Sequence, residues 1–228
     1  MSELADAFVT ALKLIFTGDP EVLAIAGRTL AISFTSTLFA ALMCVPLGCF
    51  IYFHSFRGKG LLINIIQTFY SLPTVFVGLI VFITLSRAGP LGGLGILFTP
   101  QAIVVGHVIL IAPLITGLTI SALSGVSPEI KDTAVSLGAT RFQTVRTILV
   151  EARYATLTAL MVGFGRAISE VGIAIMVGGN IRGFTRTLTT AMSLETSMGN
   201  IEVSMALGII LITLALVASI LVNRLQQR

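Results

Sequence analysis

Four long stretches of this sequence carry no formal charge. Residues 29–53, 61–86, 88–128 and 203–223 contain no Lys, Arg, Asp or Glu. A helix needs about 20 apolar residues to cross the ~30 Å hydrocarbon core of a bilayer. Four spans are therefore expected, at about 27–53, 61–86, 101–124 and 203–223. A fifth, about 154–178, is apolar on both sides of Arg166 and Glu170. Each span must be helical, because lipid cannot satisfy exposed backbone N–H and C=O groups. Charged residues make up 11% of the chain, against roughly 25% in soluble domains. With two cysteines in 228 residues, disulfide-stapled, collagen-like and disordered classes are excluded as well. The reading is an all-α integral membrane protein with about five transmembrane helices, in one membrane domain covering residues 21–228.

Residues 1–20 stand apart. Leu4, Phe8, Leu12 and Ile15 recur at helical spacing, with Asp6 and Lys13 elsewhere around the axis. This predicts a helix lying on the membrane surface, broken at Gly18-Asp19-Pro20; the alternative is a sixth, short span. A signal peptide is not expected, since Glu3 and Asp6 lie where a basic region should be. Lys and Arg in short loops set the orientation. Arg57, Lys59, Lys131, Arg141, Arg146, Arg153, Arg224 and Arg228 fall on one side, against Lys13, Arg28, Arg87, Arg182 and Arg186 on the other. The N-terminus is thus expected outside, and the C-terminus and the 125–153 loop in the cytoplasm of a multi-pass cell-membrane protein.

That cytoplasmic loop is longer than a connector requires. Ser127, Pro128 and Glu129 read as an N-cap, a first-turn proline and a first-turn acid. Ile130, Ala134 and Leu137 share one face up to Gly138, a helix stop. A second helix is expected from Thr140, with Phe142, Val145, Ile148 and Leu149 on one side. Such a pair is either a knob that docks into a partner or a solvated pair of loop helices.

At Asp132–Ala139 (D-T-A-V-S-L-G-A) and on through Thr140-Arg141-Phe142-Gln143-Thr144, the chain resembles permease subunits of binding-protein-dependent ABC importers. Asp132-Thr133 stands where that family carries Glu-Ala. The stretches Gly163–Gly172 (G-F-G-R-A-I-S-E-V-G) and Val177–Ala191 are similar to the tungstate branch, related to molybdate and sulfate permeases. The resemblance implies a type I importer (MetI-like) membrane domain and a second copy of the chain as homodimer partner. It also implies two cytoplasmic ATPase subunits that bind ATP and Mg, and an extracytoplasmic binding protein that delivers an oxyanion. On the same ground Glu129, Lys131, Asp132, Thr133, Ala134, Leu137, Gly138, Ala139 and Arg141 form the ATPase-coupling helix and its exit.

Arg166 and Glu170 lie four residues apart, hence on one helix face and within pairing reach. Ionisable groups in a bilayer usually face the bundle interior or a water-filled path, so the pair either fixes helix packing or touches cargo. Beyond the fifth span, Asn180, Arg182, Thr185, Arg186 and Thr187 combine guanidinium forks with hydroxyl donors suited to a tetrahedral dianion. The same arginines equally suit a docked binding protein or lipid headgroups. His107 is expected to be satisfied by an interhelical hydrogen bond, and Cys44 and Cys49 to be packing residues. Gly163 and Gly165, with Ala159 and Ala167, permit close helix approach. Pro46 and Pro73 are expected to allow kinks.

No P-loop, Ser/His/Asp set, carboxylate pair or metal-ligand spacing is present in the sequence. No catalytic residue, metal, cofactor of its own or nucleic-acid partner is therefore expected. The rival class is an ion-coupled carrier or channel relaying through Arg166–Glu170, but such carriers usually contain internal repeats, and none is evident.

Overall fold

The computed structural model describes residues 8–10, 12, 13 and 18–226. The predicted surface helix over residues 1–20 lies largely outside the described residues; Phe8–Thr10, Leu12 and Lys13 within it are helical. Among the described residues all regular structure is helical.

Helix α1 runs over Pro20–Phe53. The Asp19 carboxylate accepts hydrogen bonds from the Glu21 and Val22 amides at 2.9 and 3.0 Å, and Pro20 occupies the first turn, where its missing N–H costs nothing. At 34 residues the helix is about 50 Å long, enough to cross the bilayer and extend beyond it. It passes through Pro46 without ending. Helix α2 (Lys59–Thr68) and α3 (Thr74–Leu85) are together long and apolar enough for a second span, but they are bent by 97° across the 3₁₀ turn Phe69–Ser71 and Pro73. Of the two prolines expected to allow a kink, Pro73 stands at the observed bend. Helix α4 (Pro100–Ser124) is a single long span.

Then come α5 (Pro128–Ser136), α6 (Arg141–Glu151) and α7 (Arg153–Ile168), the last two joined through Ala152 at a 56° bend. The expected continuous span 154–178 is corrected here. Helix α7 stops at Ile168, and a separate short helix α8 occupies Gly172–Gly178. Helix α9 (Leu188–Ser197) was not foreseen in the sequence, and α10 (Ile201–Gln226) closes the bundle.

Helix α4 is the central post. Its Ile103, Ile111 and Ile115 are fully buried, and they pack with Val77 and Val81 of α3, Ala40 and Cys44 of α1, and Ile173, Ala174 and Val177 of α8. Small residues bring these helices together, the usual device where lipid offers no hydrophobic drive for helix association. A Cβ on Gly163 would lie 2.8 Å from Ile115, and one on Gly178 would lie 2.6 Å from Ile103. Gly165 meets nothing within 4 Å among the described residues. A second cluster joins Ile25 and Ala26 of α1 to Leu188 and Ala191 of α9 and to Leu207 and Ile210 of α10. A third, Leu123, Ile148 and Ala152 with Tyr52 and Phe53 beside them, ties the opposite end of the bundle to α6.

Candidate functional site

Two regions hold the polar chemistry, one at each end of the bundle. At the α6 end, Ser127 precedes Pro128 as expected but makes no side-chain cap bond. Gly138 ends α5 with φ of +81°, a left-handed conformation that disfavours any side chain. The Ala139 amide reaches back to the Ala134 carbonyl at 3.0 Å, closing the turn. A capping box starts α6: the Gln143 amide donates to Thr140 Oγ1 at 3.4 Å, and the Thr140 amide donates to Gln143 Oε1 at 2.7 Å. Ile130 and Ala134 are half-buried, while Leu137 is 82% and Phe142 79% exposed. The expected apolar faces therefore split. Thr144, Val145 and Ile148 turn towards the bundle, and Leu137 and Phe142 turn outward. Glu129, Lys131, Asp132, Thr133 and Arg141 are exposed around this apolar tip. A cleft of about 890 Å³, lined by Tyr52, His54, Lys131, Ala139, Arg141 and Thr144 among others, separates α5 from the end of α1.

At the other end, Arg166 Nη1 donates to Glu170 Oε2 at 3.0 Å. The Glu170 side chain is 2% exposed and that of Arg166 35%. Glu170 Oε1 also accepts the Ile173 amide at 3.2 Å, and its main-chain carbonyl accepts Thr189 Oγ1 at 2.8 Å. This one residue thus bridges the break between α7 and α8 and anchors both to α9. The pair is part of the packing, and Arg166 keeps a partly open face.

The loop after α8 is folded on itself. Asn180 adopts φ of +50°, unusual for a side-chain-bearing residue, and its Oδ1 accepts from Arg186 Nε at 3.3 Å. Thr185 is buried, donating to the Gly178 carbonyl at 2.6 Å and accepting from the Ile181 amide at 2.9 Å. Thr187 is buried in a capping box with Thr190 that starts α9. These hydroxyls do not form an open anion-binding set with the arginines. Arg182 is clasped by Glu21 at the start of α1, Nε to Oε1 at 2.7 Å, and that bond raises the guanidinium further above its ordinary pKa. Arg186 Nη1 lies 3.9 Å from the same carboxylate. Arg28 of α1 donates to the Arg186 and Gly183 carbonyls at 2.8 and 2.9 Å.

Over residues 44–228 the chain matches the family described as binding-protein-dependent transport system inner membrane component. The chain belongs to this family. It is 37% identical, over the full length of both, to a tungstate uptake system permease protein of Peptoclostridium acidaminophilum. It is 39% identical, over 91% of each chain, to a probable anion ABC transporter permease protein of Haloferax volcanii. Its fold is similar to that of a chain of the MetNI methionine ABC transporter in inward-facing conformations, with a TM-score of 0.71, 20% identity, and coverage of 90% of this chain and 94% of that one. The permease has the all-α, MetI-like type I importer fold expected from the resemblance, and it is a membrane subunit of the transport kind.

Three features of the permease escaped sequence reasoning. Glu21 was legible as a first-turn acid, but its partner lies 161 residues away. Tyr70, in the bend between α2 and α3, has a buried hydroxyl without a partner among the described residues. His107 contradicts the expectation of an interhelical hydrogen bond. It is buried in α4, and neither ring nitrogen has a partner among the described residues.

Proposed function

We propose that the permease is half of a homodimeric pore importing an oxyanion, tungstate first and molybdate or sulfate next, received from an extracytoplasmic binding protein. The relatives named for tungstate uptake and for anion transport support the cargo class. The observation that carries the reading is the exposed apolar tip formed by Leu137 and Phe142 beside Gly138. An exposed apolar end rimmed by charge is the surface of a docking element, and here its partner is a cytoplasmic ATPase that binds ATP and Mg. In this reading the N-terminus lies outside and the C-terminus in the cytoplasm.

The connectivity supports a reading by alternating access. ATP binding draws the two ATPases together, and each carries an α5 with it. Helix α6 passes the displacement to α7 through the single residue Ala152, and α7 carries Arg166. The α5–α6 unit converts closure of the ATPases into opening on the far side, and hydrolysis resets the pore. Glu129, Lys131, Asp132, Thr133 and Arg141 set the register of docking by charge and hydrogen bonding, and Ala134, Gly138 and Ala139 keep the turn tight. Arg182 and Arg186 meet the delivering protein or its cargo on the outer face.

The test is reconstitution of the permease with its two ATPases and its binding protein in proteoliposomes. Gly138→Val is expected to lower ATP-driven tungstate uptake by about tenfold or more, equivalent to ~1.4 kcal/mol, and to weaken ATPase co-purification. Full coupled uptake by that variant would overturn the docking role. Uptake by the permease alone under an ion gradient would favour a secondary carrier using Arg166–Glu170.

A further inference from the structure

Between α1 and α4 runs an open, apolar groove of about 600 Å³ that no helix among the described residues fills. On α1 it is lined by Arg28, Ala31, Thr35, Phe39 and Met43, a stripe at three- and four-residue spacing. Gln101 and Val105 face it from α4. Its charged and amide groups lie at one end. Arg28 and Gln101 stand toward the N-terminal ends of α1 and α4, and the remainder is almost wholly hydrocarbon. Arg28 to Met43 covers about 22 Å along the helix axis. This matches the ~20–22 Å from headgroup to bilayer midplane.

The charge at the head of the groove is unbalanced. Arg28 has no carboxylate within salt-bridge distance among the described residues, and it donates to two main-chain carbonyls. Arg182 and Arg186 hang on the loop that Arg28 holds, and they share the single carboxylate of Glu21. A cationic head above an apolar trough of one-leaflet length has the form of a site for an anionic amphiphile. Arginine is suited to phosphate because its planar fork offers several donors at once.

We propose that this groove holds one acyl chain of a phospholipid with a net anionic headgroup, its phosphate bound at Arg28. The lipid covers apolar surface on α1 and α4 and supplies a counter-charge that Arg28 lacks among the described residues. It thereby braces the loop carrying Arg182 and Arg186. The inference does not depend on which cargo the permease carries.

The experiment is native mass spectrometry of the intact permease–ATPase complex. The complex is released from nanodiscs of phosphatidylcholine and phosphatidylglycerol in a 3:1 ratio, and the lipids retained per permease chain are counted. One retained phosphatidylglycerol per chain is expected, despite its minority in the bilayer. Ala31→Phe fills the trough from α1 and is expected to reduce retention by about tenfold, equivalent to ~1.4 kcal/mol. Val105→Phe fills it from α4 and reads the same property should the first variant not assemble. Arg28→Gln is expected to abolish the preference for phosphatidylglycerol, and Arg28→Lys to restore part of it. Unchanged retention in a folded groove-filling variant would overturn the proposal. So would a disulfide formed in high yield between Ala31→Cys of one copy and Val105→Cys of another, because the groove would then hold a second protomer.

Discussion

Glu21 and Arg182, 161 residues apart in sequence, form a two-pronged ion pair that fastens the loop after α8 to the first turn of α1. Arg28 grips the same loop two turns further along by its main-chain carbonyls. The loop is thus held by α1 at both depths, and a displacement of α1 moves Arg182 and Arg186 with it.

Because the Glu21–Arg182 pair is solvent-exposed, it is screened by salt. Glu21→Gln is expected to lower the melting temperature slightly at low ionic strength and to match the parent at 0.5 M NaCl. Thermal melts of purified protein at both salt concentrations check this. A shift of equal size at high salt would show that Glu21 acts by something other than charge.

Leu137 packs against little of its own chain, so its truncation tests docking without testing folding. Leu137→Ser is expected to leave the melting temperature of the isolated permease unchanged and to reduce ATPase co-purification by about tenfold. Pull-down alongside a thermal melt separates the two effects. Loss of fold in this variant would mean that the residue is buried in the permease itself.

Glu170 serves both Arg166 and the Ile173 amide from a nearly inaccessible position. Its removal leaves a cation and an N–H without their partner. Glu170→Ala is expected to cost about 3 kcal/mol, and Glu170→Gln about half of that, because Gln still accepts from Ile173. Expression level and thermal denaturation of the two variants give the comparison. Equal losses would assign the whole effect to the ion pair.

Tyr70 and Gly117 make a tight contact whose polar atom gains nothing. A Cβ on Gly117 would overlap the Tyr70 hydroxyl and lie 2.7 Å from Tyr70 Cζ. Gly117→Ala is therefore expected to destabilise the bundle by about 1–3 kcal/mol. Tyr70→Phe alone is expected to be neutral or stabilising, since it removes an unsatisfied buried hydroxyl. The double variant recovers part of the loss, because removing the oxygen relieves the worst overlap. A thermodynamic cycle on the three proteins decides the matter, and simple additivity would refute it.

Much of the architecture was legible beforehand because a bilayer restricts the answer so severely. Charge-free runs of 20 or more residues have one stable form in lipid, so α1, α4 and α10 fall where the sequence puts them. The α5 stop at Gly138 was equally readable, since a left-handed residue after an amphipathic turn favours glycine. The break at residues 169–171 was not. There the buried carboxylate of Glu170 accepts the Ile173 amide in the first turn of α8, and hydropathy cannot distinguish such a break from a continuous apolar helix. Helix α9 was also missed. Thr187 and Thr190 form its capping box, but in sequence they resemble any threonine-rich loop.

The sequence by itself determined that this chain lives in a membrane, where its long apolar helices α1, α4 and α10 run, and that it carries a charged amphipathic knob ending at Gly138. Those properties follow from local composition and from backbone geometry, which act over a few helical turns. The tertiary structure decided which polar groups find each other. It turned Thr185 and Thr187 inward, gave Arg182 to Glu21, left His107 and Tyr70 without partners among the described residues, and kept Leu137 and Phe142 free on the surface. The physical reason is that pairing and burial depend on distances across the bundle. Those distances are set by how small residues such as Gly163 and Gly178 let neighbouring helices approach, and no local pattern encodes them.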